Sequence, residues 1–266
     1  MAGDKEFTHV FSRMIRGWSA IDSFRQVAIA GIPYATKIVE AQHESFVGGL
    51  TASGELSKFI IGIKDTPDLL KTAHWLQENL TKQAVENATT SVDAASIVFA
   101  HTILDDALGS FIEISGLFAR EFWKERVRNR KVEIAELGEH PVEFVVAGVV
   151  TKEITSIRRN ESLVRKCDML YSICRPAPGT PSHATYKFNV KTLTEIDKQR
   201  QDIVHGELLG AQIANIEHNL DYLRQTWMHF FLMMHESFGL RIDPSEMPAF
   251  GGKGNPVASL SASAIS

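Results

Sequence analysis

Apolar positions recur at alternating steps of three and four through most of this chain, the spacing that puts them on one face of a helix. The clearest run is Ile213, Ile216, Leu220, Leu223, Trp227, Phe230, Met234 and Phe238. It predicts one helix from about Ala211 to Phe238, near 40 Å long by helical rise, with Gly239 as a left-handed cap. A second run, Ile97, His101, Leu104, Leu108, Phe111, Ser115 and Phe118, predicts a long helix from about Val92 to Arg128. Asp105, Asp106 and Glu113 flank its seam.

The remaining elements follow from punctuation. Thr66–Pro67–Asp68 has the capping residue, first-turn proline and acidic group of a helix start, so a helix is expected to about Ala88, with Thr89–Thr90–Ser91 as a break. Upstream, Phe7, Phe11, Met14 and Trp18 and then Val27, Ile38 and Phe46 are near helical spacing, interrupted at Gly31 and Pro33; two short helices are expected. Phe144 to Ile173 reads as one helix or two in line, ended by the three prolines of Arg175–Pro181. Thr192 or Thr194 opens the next. Strand pattern survives only at Phe59–Ile63 and Tyr186–Val190. The expected architecture is all-α: residues 1–65 a helical extension, 66–240 a bundle of four or more helices, and 241–266 a disordered Gly/Ser/Ala-rich tail.

Composition is that of a globular chain: 44% hydrophobic and 23% charged residues over 266 positions. The two cysteines, Cys167 and Cys174, are seven apart, about 10 Å along one helix, too far for a disulfide; two buried thiols in a reducing compartment are expected. The polar start lacks a signal-peptide core and no apolar run approaches the roughly 20 residues that span a bilayer, so a cytoplasmic protein without membrane attachment is expected. A net charge of −4 opposes indiscriminate nucleic-acid binding but allows local basic grooves. Two basic clusters stand out: Arg120, Lys124, Arg126, Arg128, Arg130 and Lys131, then Arg158, Arg159, Arg165 and Lys166. Glu121 and Glu125 sit among the first as pairing partners, the ordinary arrangement of a solvated helix face.

Phosphate-cradling loops, His-Glu-x-x-His helices and Cys-x-x-Cys pairs do not occur. No metal site and no cofactor is expected. His101, on an apolar seam, reads as a satisfied core histidine. The stretch Lys198–Glu207 holds Arg200 and His205, five apart, followed by Gly206. Five residues turn an ideal helix by about 500°, leaving the side chains about 140° apart; a helix end at Gly206 would let them converge. A histidine can move a ribose hydroxyl proton and an arginine can grip phosphate, a minimal kit for metal-free RNA cleavage. On spacing alone, the competing reading pairs Arg200 with Glu195 or Asp197 and makes His205 a helix C-cap.

The string Arg200–Gln–Asp–Ile–Val–His205–Gly206 resembles the Arg-x4–6-His motif of the HEPN superfamily, all-α domains of toxins, CRISPR effectors and antiphage systems. A helix centred on Leu104–Asp105–Asp106–Ala107–Leu108, a later motif helix and a long closing helix match the family's order over roughly residues 66–240. The resemblance implies a metal-independent endoribonuclease, a homodimer whose two motifs form one composite site, with an antitoxin or regulatory partner. Arg200 would hold the scissile phosphate and His205 would be general acid or base. Gln201, where the family usually has Asn, Asp or His, would support them, as would Asp105 or Asp106. Arg126, Arg128, Arg130, Arg158 and Arg159 would line an RNA groove. The alternative within the resemblance is a non-catalytic module binding RNA, a nucleotide or a protein.

Overall fold

The computed structural model describes residues 2–54, 66–131, 141–174, 189–206, 213 and 215–247. Every element among them is helical: α1 (Ala2–Ala52), α2 (Thr66–Phe118), α3 (Arg120–Val127), α4 (Val142–Asn160), α5 (Leu163–Cys174), α6 (Val190–Val204), α7 (Ile216–Phe238) and a 3-10 turn at Pro244–Glu246. The all-α expectation holds. Phe59–Ile63 and Tyr186–Phe188 lie outside the described residues; Val190 opens α6.

Two expected breaks are absent. α1 runs through Gly31 and Pro33 as one helix. An interior proline forfeits one backbone hydrogen bond, at a cost of about 3 kcal/mol, yet Pro33 is exposed, and Ile21, Arg25 and Val47 stay buried before and after it along the helix. α2 likewise continues through Thr89–Thr90–Ser91. Their hydroxyls turn back onto the carbonyls of Val85, Glu86 and Asn87 at 3.1, 2.9 and 2.8 Å. Short polar side chains break helices by competing for backbone groups, and here that competition is resolved within the helix.

The chain forms two compact units. The first comprises Met1–Ser19, Phe99–Gln199 and Glu217–Ser266, the second Ala20–Val98 and Arg200–Ile216. In the first unit the predicted seams make the core: Ile97's neighbour turn onward, Leu104, Leu108, Phe111, Leu223, Trp227, Phe230 and Met234 are buried. Phe7 of α1 stacks on Phe231 of α7 with ring centres 4.4 Å apart, and Phe11 lies 6.0 Å from Trp227. Close approach is bought with glycine: a Cβ on Gly17 would sit 2.7 Å from Ile103 Cδ1. α2 ends where Ala119 leaves helical geometry (φ −97°, ψ 47°), and the turn brings Trp123 inward to donate to Ser115 Oγ at 3.1 Å.

The helix expected over 144–173 is two, broken at Glu161–Ser162. Cys167 and Cys174 on α5 are buried free thiols, as the spacing predicts. Gly239 takes the left-handed conformation (φ 63°) after α7. Residues 241–247, expected to open a disordered tail, are ordered against α1: Arg241 and Asp243 amides donate to Asp4 Oδ1 and Thr8 Oγ1 at 2.9 and 2.8 Å.

One stretch, Lys71–Phe118 in α2, is long and apolar enough by composition to cross a bilayer, but 61% of its apolar window is buried inside the protein.

In the second unit, α1 and α2 run antiparallel, registered by Arg25–Asp93 at 2.9 Å and His43–Thr81 at 3.1 Å.

Candidate functional site

The motif is carried by α6. Asn189 starts that helix, its Oδ1 accepting from the Lys191 and Thr192 amides at 3.0 and 3.4 Å, ahead of the expected start at Thr192 or Thr194. Leu193 and Ile196 bury its inner face. Its flank is fixed twice more: Asp197 Oδ1 is 2.8 Å from His101 Nε2, and Gln199 Oε1 accepts from Asn219 Nδ2 at 3.0 Å. The Tyr222 hydroxyl donates to the Asn189 carbonyl at 2.9 Å, tying the start of α6 to α7. His101 is thus a bonded, buried histidine, as its seam position predicts.

Gly206 ends the segment with φ 77°, the left-handed conformation expected there. The helix does not end earlier, however. α6 is regular to Val204, and the His205 amide still donates to the Gln201 carbonyl at 2.9 Å. The 140° separation of an unbroken helix therefore stands, and no hydrogen bond joins Arg200 to His205. Within one chain the two side chains leave different faces. Arg200 is half-buried, whereas Gln201 and His205 are exposed.

What surrounds Arg200 is more informative. Its Nε is shut off from solvent with no hydrogen-bond partner among the described residues. The two carboxylates that spacing offered as its partners are engaged elsewhere: Asp197 by His101, and Glu195 by Lys191 at 3.8 Å. The competing pairing read from spacing is not formed.

The other predicted residues are engaged with partners of their own. Asp105 accepts from Lys166 Nζ at 2.6 Å. Asp106 is shared by Arg13 at 3.0 Å and Arg158 at 3.2 Å. These two carboxylates hold helices together through cations other than Arg200. Lys166, counted with the second basic cluster, is 1% exposed; it is a core residue and not part of a basic surface.

Four of the five arginines expected to line an RNA groove are ion-paired. Arg126 reaches Glu153 at 3.2 Å, Arg130 binds the other oxygen of Glu153, and Arg128 pairs with Glu125 at 3.2 Å. Arg158 bonds Glu113 at 2.5 Å, and that bond raises its pKa. Arg159 is exposed and has no ion pair among the described residues. The first cluster is the solvated, paired face that Glu121 and Glu125 suggested, and Lys124–Glu121 at 2.8 Å belongs to it.

A buried pair that the sequence reading passed over joins α5 to α7. The Tyr171 hydroxyl lies 2.6 Å from His229 Nε2. Burial pushes the Tyr171 pKa up and the His229 pKa down to about 4, so a neutral ring accepts from a protonated hydroxyl. The partners are 58 residues apart in sequence, and helix periodicity carries no sign of the pair.

Among the described residues no group of three or more His, Cys, Asp or Glu side chains is placed to hold a metal ion. The fold and this segment define an all-α protein in which one helix carries an arginine with no ion pair among the described residues and, on a different face at its end, an exposed histidine. No family model matches the chain, and no curated protein or solved structure matches it either.

Proposed function

We propose that the protein is a HEPN-like, metal-independent endoribonuclease that works as a cytoplasmic homodimer in toxin or defence biology, with Arg200 and His205 as its catalytic residues. The observation that carries this reading is Arg200: a half-buried guanidinium with an unbonded Nε and no carboxylate partner among the described residues. A phosphate at the guanidinium would supply the opposite charge that none of the described carboxylates supplies. His205, one residue before Gly206, is exposed and within reach of a bound strand.

Chemically, one imidazole takes the proton from a ribose 2′-hydroxyl and that oxygen attacks phosphorus. The 5′-oxygen leaves with a proton from a second acid, leaving a 2′,3′-cyclic phosphate. Arginine offsets the charge that grows on the phosphoryl oxygens. Because α6 holds Arg200 and His205 about 140° apart, the site needs the same motif from a second subunit. Gln201 is exposed beside them and can donate its amide to the bound strand. The ion-paired arginines give little support to a continuous groove, so Arg159 is the remaining candidate for an RNA contact.

The test is cleavage of single-stranded RNA in excess chelator. The expected result is cyclic-phosphate ends with the parent and a loss of 100-fold or more with Arg200→Ala or His205→Ala. Equal cleavage by His205→Ala refutes the assignment. The unbroken course of α6 favours one second reading, a non-catalytic binding module. On that reading RNA binds with a dependence on Arg200 but stays intact.

A further inference from the structure

In the first unit α2 and α4 run antiparallel and meet at two glycines of α2. A Cβ on Gly109 would sit 2.8 Å from Arg158 Cγ, and one on Gly116 would sit 2.7 Å from Ile154 Cδ1. Past Gly116 the contact stops. Leu117 is 49% exposed, and Val142, at the start of α4, is 60% exposed. Ala119 breaks the helix, and α3 supplies a third wall through Trp123. The three helices border a wedge of about 770 Å³, shut at Gly116 and Ile154. That is the size of a small-molecule site, about 300–1,000 Å³. A partner helix about 10 Å across, laid along the roughly 18 Å of α4 from Ile154 to Val142, would need about 1,400 Å³.

The walls are largely aliphatic: Val146, Val150 and Ile154 of α4 line the wedge with Leu117 of α2. Polar atoms on these walls are already engaged. Trp123 Nε1 donates to Ser115 Oγ at 3.1 Å, and the Thr151 hydroxyl donates to the Ala147 carbonyl at 2.9 Å. Four charged side chains line the space: Glu113, Arg120, Lys124 and Glu143. Glu113 accepts from Arg158 at 2.5 Å, and Lys124 donates to Glu121 at 2.8 Å. Glu143 belongs to the first turn of α4, where a negative charge complements that helix's own N-terminus. Arg120 is exposed and has no hydrogen bond or ion pair among the described residues. The wedge therefore offers an aliphatic slot and one uncompensated guanidinium.

We propose that this wedge binds an aliphatic monocarboxylate of the fatty-acid class, its chain between α2 and α4 and its carboxylate on the Arg120 guanidinium. The chain removes the Val, Leu and Ile walls from water, and the planar guanidinium fork matches a carboxylate with two parallel hydrogen bonds. A neutral hydrocarbon would leave Arg120 unmatched. A phosphate dianion would find a single unpaired cation where it needs more. The site lies on α2, α3 and α4, apart from α6, and does not depend on the nuclease reading.

The experiment is calorimetric titration of the full chain with dodecanoate at neutral pH, below its micelle concentration. Dodecanol supplies the chain without the charge, and acetate the charge without the chain. Saturable binding of one dodecanoate per chain is expected, with no binding of acetate. Arg120→Gln is expected to weaken dodecanoate about tenfold or more while leaving dodecanol unchanged. Ala147→Trp, which fills the wedge from an exposed position of α4, is expected to abolish binding of both with helicity unchanged by circular dichroism. If Ala147→Trp fails to fold, Val150→Phe takes its place with the same expected outcome. Absence of saturable dodecanoate binding overturns the proposal, and so does binding that survives the filled wedge. Equal dodecanoate affinity in Arg120→Gln overturns it as well. Sedimentation with phosphatidylcholine vesicles in the absence of dodecanoate binding would assign the apolar walls to a membrane surface and would equally overturn it.

Discussion

Acid should loosen this protein through one histidine. His229 is 4% exposed and burial holds its pKa at about 4, against an ordinary value near 6.5. The unfolded chain takes up a proton on this ring as pH falls through 6.5, while the folded chain resists until about 4. A depressed folded-state pKa on a base thus gives stability that is complete above pH 6.5 and is lost progressively between there and 4. The loss is about 2 kcal/mol at pH 5 and about 3 kcal/mol at pH 4, from the proton-binding difference. The perturbation that isolates it is His229→Gln, whose amide oxygen can still accept from Tyr171 but cannot titrate. Urea midpoints would be measured for both proteins at pH 7 and pH 5. The variant is expected to be less stable at pH 7 and to lose about 2 kcal/mol less than the parent between the two values. An identical loss in both proteins would refute the argument, because the acid sensitivity would then lie in other groups.

Three further outcomes follow from the packing. Asp105→Ala strands the Lys166 ammonium in the core and should cost about 3–5 kcal/mol, most of it recovered in the double variant with Lys166→Met, as chemical denaturation would show. That result would explain any loss of function in Asp105 variants as lost folding. Gly109→Val puts a branched side chain where even a Cβ would be 2.8 Å from Arg158 Cγ; a loss of about 1–3 kcal/mol is expected by thermal melting, and it should largely vanish in an Arg158→Ala background. Glu153→Gln weakens two ion pairs at once, with Arg126 and Arg130, so salt should destabilise the parent more than this variant, as melts from 50 mM to 500 mM chloride would show.

The readable parts of the fold were those that depend on near neighbours in sequence. The α7 seam, the left-handed caps at Gly206 and Gly239, and the buried thiols all followed from spacing and residue type. The misread helix breaks show what spacing omits. Thr89–Thr90–Ser91 has a turn's composition, but each hydroxyl found its own carbonyl four residues back. Pro33 could be carried because it falls on an exposed side of α1. Charge was the least legible, since the partners lie 23 to 61 residues away: Glu153 for Arg130, Asp106 for Arg158, Asp105 for Lys166. A run of arginines gives no hint of them. At the motif, sequence located the residues and the glycine stop, but that neither Glu195 nor Asp197 pairs with Arg200 needed coordinates. It depended on where His101 and Lys191 reach.

Cys167 and Cys174 have a practical consequence. Burial raises both pKa values, Cys174 to about 12 and Cys167 well above its ordinary range, so neither offers a thiolate or a path for a reagent while α5 is docked. A maleimide pulse would therefore mark only molecules in which α5 has opened. The two sulfurs act as a built-in clock for that event, reporting how often the helix beside Tyr171 and His229 comes away without any label having to be introduced.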